Sequence, residues 1–289
     1  MTRVLLVAHR ERSEAESLAG VAATWLAERG HQVWMIPDDA EASGLASLAS
    51  DDAASTAELV LSLGGDGTML RAVQLLDGAE VPIIGVNVGL LGYLTEVEPH
   101  GMLAALERFL VGPERAAGDW AVEERMMLDV SVQFADGSPG QQIRALNEGV
   151  LEKQEPGHTV RMMVRIDGAP FTSYAADGLI VATPTGSTAY SLSARGPVVS
   201  PRHRALLLTP VSPHMMFDRS LVLDPEERVE VEVGGHRPVV LSIDGQRSCG
   251  LTAGDTVSFA ASATSAQFVR FGERRFHQIL KAKFGLADR

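Results

Sequence analysis

The sequence predicts two domains: a Rossmann-like α/β domain with a parallel sheet over residues 1–115, and an all-β, sandwich-like domain over 116–265. A C-terminal segment, 266–289, is expected to return to the first domain as a helix. Three observations carry this reading. Apolar strand-like runs alternate with helical periodicity as far as Leu110. Beyond Gly112-Pro113 that texture gives way to short alternating segments with frequent turns. The chain then closes on a basic amphipathic stretch from Arg275 to Phe284. Strands that alternate with helices are joined by crossovers, which build parallel sheets covered on both faces.

In chain order, Val4 to Ala8 reads as a buried strand. Ser13 to Arg29 follows as a helix with Leu18, Val21, Ala22, Trp25 and Leu26 at helical spacing, and Gly30 stands where a C-cap belongs. Gln32 to Ile36 is a second strand stopped by Pro37, and Leu59 to Leu63 a third that runs into glycines. Helical periodicity resumes from Thr68 to Leu76, Val81 to Val86 is a further strand, and Pro99 opens a helix through about Leu110. In the second domain, strands are expected at Met127–Phe134, Thr159–Ile166, Val229–Val233, Val239–Ile243 and Thr256–Ala260. The turns are Asp136-Gly137, Asp167-Gly168, Gly234-Gly235, Asp244-Gly245 and Gly254-Asp255.

Composition excludes several function classes. The net charge of -12 opposes a polyanionic backbone, which argues against nucleic acid as a partner. Cys249 is the only cysteine, so neither an intrachain disulfide nor a cysteine-rich metal site can form, and a reducing compartment fits best. The apolar run Val4–Ala8 is too short for a signal sequence, and no stretch approaches membrane-spanning length. A soluble cytoplasmic protein with no membrane partner is expected. There is no Gly-x-Ser-x-Gly elbow and no His-Glu-x-x-His spacing to support serine or metal hydrolysis.

The sharpest local feature is the apolar run Leu59–Leu63 leading into Gly64-Gly65-Asp66-Gly67-Thr68 and then a helix. Backbone N–H groups at such a turn, with the helix N-terminus, cradle phosphate oxygens, and glycine lets the ligand approach closely. Asp66 is the odd member: a carboxylate beside phosphate is unfavourable unless it binds a metal or takes a proton. The plain alternative is a tight turn with Asp as a cap. No P-loop lysine follows, and Gly65-x-Gly67-x-x-Leu70 lacks the third glycine of the dinucleotide fingerprint, so a different kinase class is indicated.

Two further segments bear on chemistry. Asp177 to Ser193 carries five Ser and Thr residues within nine positions from Thr183, more than one N-cap needs. It reads as an exposed set of small donors and acceptors suited to a nucleoside. Asn147-Glu148 is a polar pair interrupting the strand-like run Ile143–Leu151.

These segments, with Ala145-Leu146, Gly196-Pro197, Pro213-His214 and Asp244-Gly245-Gln246, resemble the NAD kinase family of bacterial type, over residues 58–284 or so. The Gly-Gly-Asp-Gly-Thr element alone is shared with diacylglycerol and sphingosine kinases, whereas Thr183 through Tyr190 in combination is highly specific. The resemblance implies transfer of the terminal phosphate of ATP or polyphosphate to the 2'-hydroxyl of the adenosine ribose of NAD, giving NADP. It implies Asp66 as catalytic residue, orienting or deprotonating that hydroxyl. Asp66, Gly67, Asn147, Glu148, Asp177, Thr188, Ala189, Tyr190, Ser191, Leu192, Ser193 and Gln246 would bind NAD. Gly64, Gly65, Gly67, Thr68 and Arg71 would lie around phosphates, with a divalent cation, Mg2+, bound mainly through those phosphates. Small-molecule nucleotides are the implied partners, and a homodimer or homotetramer the implied assembly. The chain departs from the family pattern at Leu90, where an arginine is usual, at Arg195, where a second glycine is usual, and at Gly149, where an apolar residue is usual. The readings kept beside this one are a lipid kinase and a protein that senses NAD or NADP without turnover.

Overall fold

The computed structural model describes residues 1–112, 120–272 and 276–286. The chain divides into two compact units, Met1–Glu124 with Ala266–Arg289, and Arg125–Ser265. Pro113, the predicted boundary at 115 and 116, and Arg275 lie outside the described residues.

In the first unit, β1 (Arg3–Ala8), α1 (Ser13–Glu28), β2 (Gln32–Trp34), α2 (Pro37–Ala42), β3 (Leu59–Gly64), α3 (Asp66–Leu76), β4 (Pro82–Asn87) and α4 (Met102–Val111) follow in order. The strands pair in parallel in the order β2-β1-β3-β4. Their residues are apolar almost throughout because both faces are covered, and Val4, Leu6, Leu59, Leu61, Ile84 and Val86 share a core with Ala19, Ala22 and Leu26 of α1. Burying each Leu or Val in such a core contributes about 1.5–3 kcal/mol.

The structure corrects two boundaries here. Pro37 does not merely stop a strand; it opens α2, because its fixed φ suits a first helical position and Asp38 and Asp39 meet the helix dipole in the first turn. Helix α3 begins at Asp66 rather than Thr68, since Gly65 takes an extended conformation (φ -98, ψ -164) and the chain turns from it straight into the helix.

The second unit is a sandwich of two antiparallel sheets. Its elements are β5 (Ala121–Gln133), β6 (Gln141–Ala145), β7 (Glu148–Lys153), β8 (Val160–Ile166), β9 (Ala169–Ala176), β10 (Gly178–Ala182), α5 (Tyr190–Ser193), β11 (Leu206–Val211), β12 (Leu221–Leu223), β13 (Val229–Gly234), β14 (Val239–Ile243), β15 (Gln246–Leu251) and β16 (Thr256–Arg270). One layer runs β16-β13-β8-β9 with β5 and β6 alongside; the other runs β12-β11-β10-β7-β14-β15. Strands β13 and β14 bury every second residue, as a strand with one covered face must. Strand β10 is buried throughout: Leu179 and Val181 enter the core between the sheets, while Ile180 and Ala182 pack with Val150, Ala205 and Leu207 on the opposite face.

The predicted run Ile143–Leu151 is two strands. Strand β6 pairs with β5, β7 pairs with β10 and β14, and the chain changes sheets at Leu146-Asn147. Strand β16 is much longer than the predicted Thr256–Ala260, and from Ala266 on it belongs to the first unit, where Gln267 and Phe268 pair in parallel with Pro82 and Ile83. The stretch Ala261 to Ala266 alternates only small residues, so no apolar period marks it as strand. The last helix, α6 (Phe276–Phe284), belongs to the first unit, burying Ile279 and setting Lys283 Nζ 4.2 Å from the Tyr93 ring centroid.

The glycine at 149 has a packing reason. A Cβ there would stand 2.6 Å from Phe259 Cε1 and 3.3 Å from Ile243 Cδ1, because the Phe259 ring fills the space a side chain would take. Gly149→Ala is therefore expected to destabilise the protein by about 1–3 kcal/mol. Urea unfolding measures this; an unchanged midpoint would mean the ring moves aside freely.

Candidate functional site

The glycine turn in the first unit is built around Asp66. Its carboxylate is half-buried and accepts two backbone N–H bonds, Oδ2 from Tyr93 at 2.8 Å and Oδ1 from Leu94 at 2.9 Å. Gly92 permits this approach: a Cβ there would overlap Asp66 Oδ1 and stand 2.6 Å from Thr95 Oγ1. The loop holding these amides is tied back through Val88 N–H to the Gly64 carbonyl (3.0 Å) and Thr95 Oγ1 to Asn87 Oδ1 (3.2 Å). Asp66 in turn weighs on Tyr93, whose phenol is raised first by burial and then by that charge.

Beside the turn lies a cleft of about 460 Å³. Gly65, Gly67, Thr68 and Arg71 line one side and His9 to Arg12, between β1 and α1, the other. The amides of Asp66 and Gly67 open α3 and have no carbonyl of their own helix to bond, so they are available to an anion. Gly64 stands behind them in β3, and a Cβ on it would run into the Thr68 side chain.

Arg71 is not a solvated helix arginine. Its Nη1 and Nη2 each donate to Asp39 at 2.8 Å, and Nη2 also donates to the Ala8 carbonyl. Arg10 Nε donates to the same carboxylate at 2.9 Å. Burial lowers the Arg71 pKa from its ordinary value, and Asp39 opposes that shift. Asp39, fully buried, thus holds two guanidinium groups at the cleft. Sequence reading missed it, although Pro37-Asp38-Asp39 is a helix-start signal.

In the second unit the centre is Asp244, which the sequence showed only as a hairpin residue. Asp244 and Gly245 both have positive φ (47 and 78) and close the two-residue turn from β14 to β15, leaving Gln246 exposed at its exit. The buried Asp244 carboxylate accepts N–H bonds from Leu146 (2.8 Å), Asn147 (2.7 Å) and Glu148 (3.1 Å). It therefore fixes the point where the chain changes sheets. Burial raises the Asp244 pKa and the three amides oppose it.

Glu148 sits in the same place, 4% exposed, with Oε2 lacking a hydrogen-bond partner among the described residues. Burial, then the charge of Asp244, push its carboxyl up to about 8, while the Tyr190 amide N–H pulls the other way.

The hydroxyl-rich segment departs from expectation. Thr183, Thr185, Ser187 and Ser191 are buried rather than exposed. Thr183 Oγ1 donates to the Leu146 carbonyl at 2.6 Å, Ser187 Oγ donates to the Pro184 carbonyl at 2.7 Å, and Ser191 Oγ lies 3.3 Å from Thr209 Oγ1. These groups satisfy a tightly folded loop instead of presenting themselves to solvent. Thr188, Ala189, Tyr190, Leu192 and Ser193 keep partial or full exposure. Asn147 meets this loop by backbone: its carbonyl accepts Thr183 N–H at 2.8 Å, and Gly186 has no room for a Cβ against it. Asp177, at the start of β10, pairs with Lys153 Nζ at 2.6 Å, and the Tyr190 hydroxyl donates to Glu152 at 2.7 Å. Arg195 is left-handed (φ 64), a backbone conformation that glycine adopts more readily. Leu90 is 90% exposed.

Comparison with known proteins bears on the family and the fold. Residues 4–113 match the model of the ATP-NAD kinase N-terminal domain, and residues 146–271 that of the ATP-NAD kinase C-terminal domain. An NAD kinase of Heliobacterium modesticaldum is 37% identical over 290 residues, covering 98% of each chain. One of Moorella thermoacetica is 38% identical over 98% of this chain and 89% of its own. In fold, the chain is similar to a yeast NADH kinase complexed with NADH, at a TM-score of 0.85 and 22% identity, over 100% of this chain and 89% of that one. It is also similar to an NAD kinase from Archaeoglobus fulgidus in complex with ATP, at a TM-score of 0.72 and 24% identity, over 99% of both chains. By both of its domain models and by full-length identity to these relatives, the chain belongs to the NAD kinase family.

Proposed function

We propose that this protein phosphorylates NAD on the 2'-hydroxyl of its adenosine ribose to give NADP, with ATP or polyphosphate as donor. The observation that supports this most is the Asp66 carboxylate, held by two backbone amides next to a glycine turn and a guanidinium-lined cleft. Asp66 takes the proton of the attacking hydroxyl as the bond to phosphorus forms and the bond from phosphorus to the donor's bridging oxygen breaks, which releases ADP or the polyphosphate one unit shorter. The amides of Asp66 and Gly67 receive charge on the phosphoryl oxygens, and Thr68 and Arg71 border the same space. Phosphoryl transfer asks for positioning and charge stabilisation more than covalent chemistry, and a pre-fixed carboxylate beside free amides supplies both.

The dinucleotide is bound by Asn147, Glu148, Asp177, Gln246 and the accessible part of the loop Thr188 to Ser193, Ser191 serving from beneath. Asp244 holds Asn147 and Glu148 in place for this. A divalent cation, expected to be magnesium, would be held chiefly by the donor's phosphates and would neutralise their charge. Among the described residues no group of three or more His, Cys, Asp or Glu side chains is arranged to hold a metal. No helix among the described residues is long and apolar enough to cross a membrane. A cytoplasmic homodimer or homotetramer is the assembly to test by light scattering.

Incubation of the purified protein with NAD, ATP and magnesium is expected to yield NADP, read with an NADP-specific dehydrogenase. Phosphorylation of diacylglycerol or sphingosine instead would favour the lipid-kinase reading. Binding of NAD with no product from either donor would make the protein a sensor.

A further inference from the structure

We infer that Arg12 is a phosphate-binding residue for the phosphoryl donor, gripping the terminal phosphoanhydride of a nucleoside triphosphate or an inorganic polyphosphate in the cleft beside Gly65 and Gly67. The inference rests on the proposed phosphorylation of NAD and names where its donor is held.

The cleft of about 460 Å³ is bordered by three arginines, but they are not equivalent. Arg10 and Arg71 both spend their charge on the buried carboxylate of Asp39. Arg12 has no carboxylate partner among the described residues. Its one side-chain hydrogen bond among the described residues runs from Nη1 to the Val88 carbonyl, which leaves the remaining guanidinium N–H donors for a ligand. That bond also fixes where the charge sits. A Cβ on Gly89 would overlap Arg12 Nη1, so the guanidinium lies directly against the loop that follows β4. This loop is the one whose amides hold Asp66. A guanidinium fork matches phosphate oxygens in pairs, and one not already neutralised gives up least on binding them.

The surrounding charges favour an anion on balance. Glu11 borders the cleft and Glu14 and Glu16 lie in the first turn of α1, all three exposed and free to turn to water. Against them stand the N-termini of α1 and α3, which begin at Ser13 and Asp66 and carry positive dipole ends. Leu90 is exposed and follows directly on Gly89, against which the Arg12 guanidinium lies, so an arginine introduced there is expected to reach the same region.

The test compares wild type, Arg12→Ala, Arg12→Lys and the double variant Arg12→Ala/Leu90→Arg. Arg12→Ala is expected to raise KM for the donor roughly 10- to 100-fold, with KM for NAD changed less than about twofold. Parallel assays with ATP and with polyphosphate show which donor the site serves. Arg12→Lys keeps the charge but not the fork and should fall between, and Leu90→Arg should recover part of the loss. Calorimetry with inorganic tripolyphosphate reads the site without turnover: wild type binds, and Arg12→Ala binds roughly 10- to 100-fold more weakly. Absence of NADP from wild type would overturn the functional reading alone, because the tripolyphosphate measurement still decides Arg12. Equal tripolyphosphate affinity in wild type and variant, or a KM change shared equally by NAD and donor, overturns the inference. If Arg12→Ala fails to fold, Arg12→Lys decides, and an unchanged donor KM in that folded variant overturns it too.

Discussion

Replacing Asp66 with Asn is expected to lower kcat for NADP formation by roughly 10²- to 10⁴-fold, the usual contribution of a positioned general base, while leaving NAD affinity within a few-fold of wild type. The asparagine keeps the size and loses the proton-accepting charge. It also meets the Tyr93 and Leu94 amides with one carbonyl oxygen and one NH2, so a donor faces a donor on one side. A modest loss of stability of about 1–3 kcal/mol accompanies the kinetic effect, and thermal melting separates the two. Gly92→Ala makes the argument sharper. It leaves the carboxylate intact but thrusts a methyl onto Asp66 Oδ1, so the group is displaced rather than removed. A movement of about 1 Å in a reacting group can cost about 10²-fold, and the loss should appear in kcat before it appears in KM. Both variants at wild-type turnover would mean that Asp66 only ties the 93–94 loop to the helix.

That Asp66 stood out in the sequence while Asp39 and Asp244 did not has a physical cause. Asp66 is embedded in its own signal: the strand, the glycines and the helix that define its setting are all within ten residues of it in the chain. Asp39 gets its meaning from Arg71, which is 32 residues away, and Asp244 from amides 96 to 98 residues away. Periodicity and turn chemistry report local backbone, and no local rule ties these acids to their partners. Asp244-Gly245 was legible as a two-residue hairpin, and the structure has that hairpin; the carboxylate's inward aim was not legible, because either face of the turn satisfies the same dihedral angles. The hydroxyls from Thr183 to Ser191 show the same limit in another form. Their crowding was visible, but side-chain direction depends on packing, and four of them turn inward, Thr183 to the Leu146 carbonyl and Ser187 to a carbonyl of its own loop. Layering was easier to read, since continuous apolar runs in β1, β3 and β4 and alternation in β13 and β14 record directly how many faces of each strand are covered.

Glu148 supplies the second large effect, in the pH dependence of stability. Its carboxyl titrates near 4.5 in the unfolded chain and is pushed up to about 8 in the fold, first by burial and then by Asp244. The folded protein therefore binds the proton more tightly than the unfolded chain does. Below the unfolded value both states are protonated and no penalty arises. As pH rises from there towards about 8, ionisation is easier in the unfolded chain, so this contribution to stability is progressively lost; above the folded value the loss is complete. A tenfold difference in proton affinity between the two states corresponds to about 1.4 kcal/mol, and with water entry and local relaxation on ionisation the net loss should be about 2 kcal/mol. Glu148→Gln removes the titration while keeping a polar side chain of the same size. The variant is expected to match wild type below the unfolded value of 4.5 and to exceed it by about that amount above the folded value of about 8, so that urea midpoints plotted against pH diverge with a single step. Asp244 is raised as well and is still present in the variant, which leaves a residual slope in the same direction. The ligand side follows from the same proton. A neutral Glu148 offers an O–H donor to a bound dinucleotide, and the ionised form offers only acceptors, so wild-type affinity for NAD should weaken above pH 8 while that of Glu148→Gln, whose amide still donates, holds level. Parallel stability profiles for the two proteins across this range would show that Glu148 ionises normally within the fold, and that its Oε2, without a partner among the described residues, gains one as soon as it is charged.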